Sequence, residues 1–175
     1  MRPRLRKFVL TAHVVSSVGW LGAIAVFLAL AIAGLASQQA QLVRGAYLAM
    51  ESTGWFVLVP LSLASLLTGV IQSLGTKWGL FRHYWVIAKL LINLVATVVL
   101  LLYMQTLGSL AAVATDTTAS TSELRSPSPA IHAGAALFLL LVAATLSVYK
   151  PRGVTRYGQR KQRRGDKLVQ RTEAA

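Results

Sequence analysis

The stretch FVLTAHVVSSVGWLGAIAVFLALAIAGL, residues 8–35, decides how the rest of the chain is read. From Val9 to Leu35 it runs 27 residues without a formal charge. As a helix rising about 1.5 Å per residue it extends ~40 Å, more than the ~30 Å hydrocarbon core of a bilayer requires. Tilt or protruding ends absorb the excess. Arg2, Arg4, Arg6 and Lys7 precede it like the n-region of a signal peptide. A cleavable apolar region is only about 7–15 residues long, however, so the stretch reads as a retained membrane anchor.

Three further runs have spanning length, over residues 46–74, 84–107 and 131–149. In lipid no water is at hand for backbone N–H and C=O groups, so each span is predicted to be helical. Membrane β-strands would be shorter and would alternate strictly. The predicted fold is all-α: a four-helix transmembrane bundle over residues 1–150, followed by a basic tail over 151–175. A hydrophobic fraction of 55% and a mean hydropathy of +0.59 agree with that class. The chain has no cysteine, which excludes disulfides, thiol catalysis and Cys-ligated zinc or iron–sulfur centres.

The net charge of +13 is unevenly placed. Nine of the 18 Lys and Arg residues lie at or after Lys150, and four precede Phe8. With Lys77 and Arg82 in the second loop, one side of a four-span chain collects fifteen. The other side has Arg44 and Arg125, while Lys89 lies inside a span. The positive-inside rule then predicts a multi-pass protein of the cytoplasmic membrane with both termini in the cytoplasm. Basic residues that flank apolar spans point to the bilayer and its anionic headgroups as partners, not to nucleic acid.

The loops follow from composition. Ser37–Gly45 reads as a short external link and Gly75–Arg82 as a tight internal one. Thr115–Pro129, rich in Ser, Thr and Pro, is expected to be a flexible external loop. Gly153–Ala175 has few apolar residues and is expected to be disordered in water. Pro60 should kink the second span, because it cannot donate to the carbonyl of Phe56. Glu51, at the external mouth of that span, is expected to be exposed.

Polar residues inside spans are the candidates for chemistry. His13 and Trp20 are seven apart and share a face of the first helix, with Ser16, Ser17, Gly19 and Gly22 nearby. Trp85, Lys89, Asn93 and Thr97 recur every four residues on an otherwise aliphatic third helix, so the row should face the bundle interior. His13 and Lys89 each lie about five residues inside the cytoplasmic end of their spans and should sit at similar depth. Plainer readings are that His13 bonds a backbone carbonyl and that Lys89 extends along its own stem to the interface. Ser62, Ser65 and Gly69, with Thr68 alongside, form a stripe suited to close helix packing or to a cofactor cleft. His83 should be solvated. His132, at the external end of the fourth span, is too far from His13 to share a metal with it.

The run Thr11-Ala12-His13-Val14-Val15-Ser16-Ser17-Val18-Gly19-Trp20-Leu21-Gly22 resembles the first helix of a broad group of small bacterial membrane proteins. The group includes copper-resistance D proteins, a four-helix protoporphyrinogen oxidase and uncharacterised predicted integral membrane proteins, and residues 8–158 look most like the last. In the oxidase group a first-helix histidine and a third-helix lysine form the functional pair beside a b-type heme. The corresponding positions here are His13 and Lys89. The resemblance implies His13 as the axial metal ligand, Lys89 and Asn93 lining the pocket, and Trp20 packing its floor. The Leu-Pro-Arg that follows the tryptophan in that group is absent here. Met50 and Met104 stand isolated, so a Cu(I) site is not implied. The expected function is thus a cofactor-holding membrane protein, enzymatic or not. The alternatives are a protein that recruits a partner through its basic tail and a small transporter, which with four spans would need a homodimer to enclose a pathway.

Overall fold

A computed structural model describes residues 2–75, 80–151, 153–160 and 170. Helix α1 covers Pro3–Ala36. Helix α2 runs through Ala40–Thr53, a π-helical turn at Gly54–Leu58, and Val59–Gly75. Helix α3 covers Tyr84–Thr115 and α4 covers Ser128–Tyr149. All four are long and apolar enough to cross a membrane, which makes this a multi-pass membrane protein. Each of α1 and α3 packs against both α2 and α4, so α1 and α3 face each other across a diagonal.

The packing suits a lipid solvent. Trp20, Tyr47, Met50, Met104 and Leu107 are buried inside, while Phe8, Phe56, Leu102, Phe138 and Val148 point outward. With apolar residues on both sides, helix association rests on close packing and on polar contacts between helices, not on exclusion of water.

Several boundaries differ from the sequence expectation, each for a physical reason. Helix α2 begins at Ala40, because Val43, Ala46, Tyr47 and Met50 form a buried face along its first turns. Helix α3 continues past Leu107 to Thr115, since Leu107, Ala111 and Ala114 carry one buried face onward. Pro at the first turn starts both α1 and α4, where its missing N–H costs nothing. The disturbance expected from Pro60 appears just before it as the π-helical turn, in which the Val59 N–H donates to the Gly54 carbonyl five residues back.

The loop over Thr115–Pro129 is not the unstructured link that its composition suggested. It contains a 3-10 turn at Thr121–Leu124, and the Leu124 side chain is wholly buried. The Tyr47 hydroxyl donates to the Leu124 carbonyl. Arg44 donates to the carbonyls of Val113, Ala114, Asp116 and Ala119. Arg125 donates to the Ser37 carbonyl and the Gln38 side chain. One apolar residue and two arginines therefore fasten this end of the bundle. Glu51 is half-buried rather than exposed, and a Cβ on Gly108 of α3 would stand only 3.6 Å from its carboxylate.

At the opposite end, the expected disorder of the tail is corrected for residues 153–160. The Thr155 N–H donates to the Arg82 carbonyl at 2.9 Å, and its hydroxyl donates to the Phe81 carbonyl at 2.6 Å. The Tyr84 N–H donates to the Gly153 carbonyl, and His83 pairs with Val154 in an antiparallel bridge. The carbonyls at the turn into α3 need donors, and the segment after α4 supplies them. His83 is consequently half-buried, not fully solvated. The remainder of the predicted disordered tail, except Gln170, lies outside the described residues, as do Lys77 and Trp78.

Candidate functional site

Helix α1 presents His13 to α2. Its Nδ1 lies 3.1 Å from the Ser65 carbonyl and 3.2 Å from the Thr68 hydroxyl. A carbonyl only accepts, so Nδ1 carries the proton and Nε2 keeps its lone pair. The ring rests on the α2 backbone because residue 69 is glycine: a Cβ there would stand 3.1 Å from His13 Cε1. Next to this contact the Ser17 and Ser65 hydroxyls bond at 2.8 Å, and the Thr68 hydroxyl donates to the Ala64 carbonyl. The small-residue stripe on α2 is thus where α1 and α2 approach most closely through polar groups.

Helix α3 supplies the other wall. Trp85, Lys89 and Asn93 border the same cleft as His13, with Gly69, Gln72 and Ser73 of α2 between them. Lys89 turns back by one helical turn, placing Nζ 5.8 Å from the centre of the Trp85 ring, a cation–π distance. Thr97, the last member of the polar row, is buried deeper, and its hydroxyl has no partner among the described residues. The Gln72 side-chain oxygen is likewise buried without a partner.

Three of the four sequence-predicted site residues, His13, Lys89 and Asn93, therefore meet at one cleft. Trp20 does not border it; its indole lines a separate apolar cavity farther along α1. Gly69 of the α2 stripe lines the cleft, as one reading of that stripe had it, whereas the Gln72 contribution was not anticipated. Its signal was available, since Gln72 extends the Ser65 and Gly69 stripe at the next helical spacing and is the one amide in an apolar run.

The charge balance of the cleft is one-sided. Among the described residues no Asp or Glu lines it. The described acids are Glu51, Asp116 and Glu123, all toward the other end of the bundle. An ammonium group at a helix-lined cleft with no carboxylate invites an anion.

The expected b-type heme was tested against this geometry. His13 Nε2 is the right kind of donor atom for one axial bond. The cleft, however, measures about 110 Å³, below the ~300–1,000 Å³ usual for organic ligands. It contains no second histidine, and the described residues hold no group of three His, Cys, Asp or Glu able to bind a metal ion. At that volume the cleft, as it stands, does not admit a porphyrin ring.

No protein-family model, curated protein or solved structure matches this chain.

Proposed function

We propose that the chain is an integral membrane protein of the cytoplasmic membrane that binds a small oxyanion, free or carried on a headgroup, in the cleft between α1, α2 and α3. Lys89 supplies the counter-charge. Asn93, Gln72 and Ser73 supply further polar contacts, and His13 Nε2 accepts a hydrogen bond from a protonated ligand oxygen. The carrying observation is an ammonium group at a polar cleft whose described lining holds no carboxylate. The basic residues of the N-terminus, the α2–α3 loop and the tail then belong on the cytoplasmic side, where they concentrate anions at the cleft mouth.

Titration calorimetry with inorganic phosphate, on protein in zwitterionic nanodiscs, tests this. Saturable binding is expected. Lys89→Met should weaken it about 10–100-fold with helical content unchanged, because a charge-assisted hydrogen bond contributes ~1.5–3 kcal/mol. Equal affinity in the variant would refute the assignment.

A second reading, partner recruitment through the basic tail, is favoured by the docking of residues 153–160 against the α2–α3 loop. That docking depends on Gly158, where a Cβ would lie 2.6 Å from Val154 Cγ1 and 2.7 Å from the Arg82 carbonyl oxygen. Gly158→Val is expected to speed tryptic cleavage at Arg156 and Arg160 several-fold while the bundle keeps its unfolding midpoint. Unchanged cleavage would mean that the tail is not held there.

A further inference from the structure

The polar cleft between α1, α2 and α3 holds acceptors as well as a cation, and the acceptors restrict what can enter it. Ser and Thr hydroxyls inside a helix commonly donate to the carbonyl four residues back. The Thr68 hydroxyl does so, to the Ala64 carbonyl at 2.5 Å, so toward His13 it acts as an acceptor. The Ser65 carbonyl beside it can only accept. Two acceptors therefore fix the imidazole proton on Nδ1. His13 Nε2 has no partner among the described residues, and unlike the Gln72 oxygen it is not enclosed. With Cε1 against Gly69 and Nδ1 against Ser65, the Nε2 edge is the part of the ring left to border the cleft.

Ser73 repeats the pattern on α2. Its hydroxyl donates to the Gly69 carbonyl at 2.8 Å, which leaves lone pairs for the cleft. The α3 wall differs: the Lys89 ammonium brings three donors and no acceptor, and the Asn93 amide can do either. One wall of the cleft thus gives hydrogen bonds while the other receives them. A bare oxyanion would meet Lys89 well but would set its oxygens against the lone pairs of His13 and Ser73. An oxyanion that keeps a hydroxyl satisfies both walls.

Given the anion cleft proposed above, we infer that its ligand is an inorganic oxyanion that retains a proton at neutral pH, such as hydrogen phosphate or hydrogen carbonate, and that His13 and Ser73 select for that proton. Sulfate has no proton to offer. The phosphate of a phospholipid diester has none either, and a monoester phosphate loses most of its second proton above about pH 6. A free ion therefore fits better than a headgroup. The volume agrees, since about 110 Å³ admits a compact ion.

Phosphate and sulfate share a shape and differ in the proton, so titration calorimetry of both at neutral pH, on the full chain in zwitterionic nanodiscs, separates charge from hydroxyl recognition. Phosphate should bind at least about tenfold tighter, because a site built to bond a ligand hydroxyl leaves its own group unpaired with the analogue that lacks one. Dimethyl phosphate, a soluble stand-in for a diester headgroup, should not displace it. His13→Phe keeps a ring against Gly69 and removes the acceptor. Phosphate affinity should then fall toward that of sulfate, while unchanged sulfate binding reports that the cleft is still formed. Ser73→Ala removes the second acceptor, a hydroxyl bonded within its own helix, and should narrow the preference a few-fold even if His13→Phe fails to fold. Equal affinity for the two anions, displacement by dimethyl phosphate at matched concentration, or an unaltered preference in the variants would each overturn the inference and leave the anion cleft standing. Absence of saturable binding by either anion would remove both.

Discussion

Replacing Trp20 by alanine is expected to lower the unfolding free energy of the bundle by about 3–5 kcal/mol, the usual cost of deleting a large buried ring. Trp20 is the largest wholly enclosed side chain among the described residues and packs in the same core as Ile24, Leu58 and Ala96. In a bilayer the loss is not a transfer of apolar surface from water. It is the loss of dispersion contacts across a void that its neighbours cannot close, since α1 is held to α2 by the Ser17–Ser65 and His13–Ser65 bonds. Trp20→Phe should cost less than about 1.5 kcal/mol, because the missing indole N–H had no acceptor to lose. Equilibrium unfolding in mixed micelles with rising SDS checks both values. Similar losses in the two variants would mean that the indole N–H carries a contact that its surroundings do not reveal.

Arg44→Met should cost about 2–3 kcal/mol and loosen only one end of the molecule. The guanidinium reaches four carbonyls: two in the last turn of α3 and two in the loop beyond. The final carbonyls of a helix have no partner within it, and a cation there also complements the helix dipole. Methionine keeps the stem and removes every donor. Hydrogen exchange should quicken from Val113 through Leu124 and stay unchanged near Lys89; a uniform rise would contradict a local clamp. The same loop has an acid limit. Asp116 accepts from the hydroxyl and the N–H of Thr118, which hold its carboxyl below its ordinary value of 3.8. A lowered value in the folded state means that the contribution is present above pH 3.8 and is lost as the pH falls through the still lower folded value. The Thr118 amide should therefore gain exchange only in that acid range.

The four helices were legible because their signal is long and redundant: each span repeats the apolar pattern over many turns. The meeting of His13 with Lys89 followed from counting residues inward from one end, an argument that needs only a helical rise and an even number of spans. What escaped was carried by single residues. Leu124 orders a loop that otherwise looks like polar filler, because one enclosed leucine and one tyrosine hydroxyl are enough to pin it. Thr155 docks a segment whose composition points to disorder, because its partners are backbone carbonyls seventy-odd residues away. Trp20 shares a face with His13, yet it borders a different space. Helical phase fixes direction but says nothing of which neighbour stands opposite, and the square arrangement puts α4 beside that part of α1.

The pairing of Thr155 with Phe81 and Arg82 also sets an order of assembly. All four helices precede residue 155 in the chain, and until that residue is in place the corner between α2 and α3 lacks the donors it supplies. Insertion of the helices and closure of this corner are thereby separate events. A released chain that stops at Lys150 would retain all four helices yet lack the Thr155 contacts with Phe81 and Arg82.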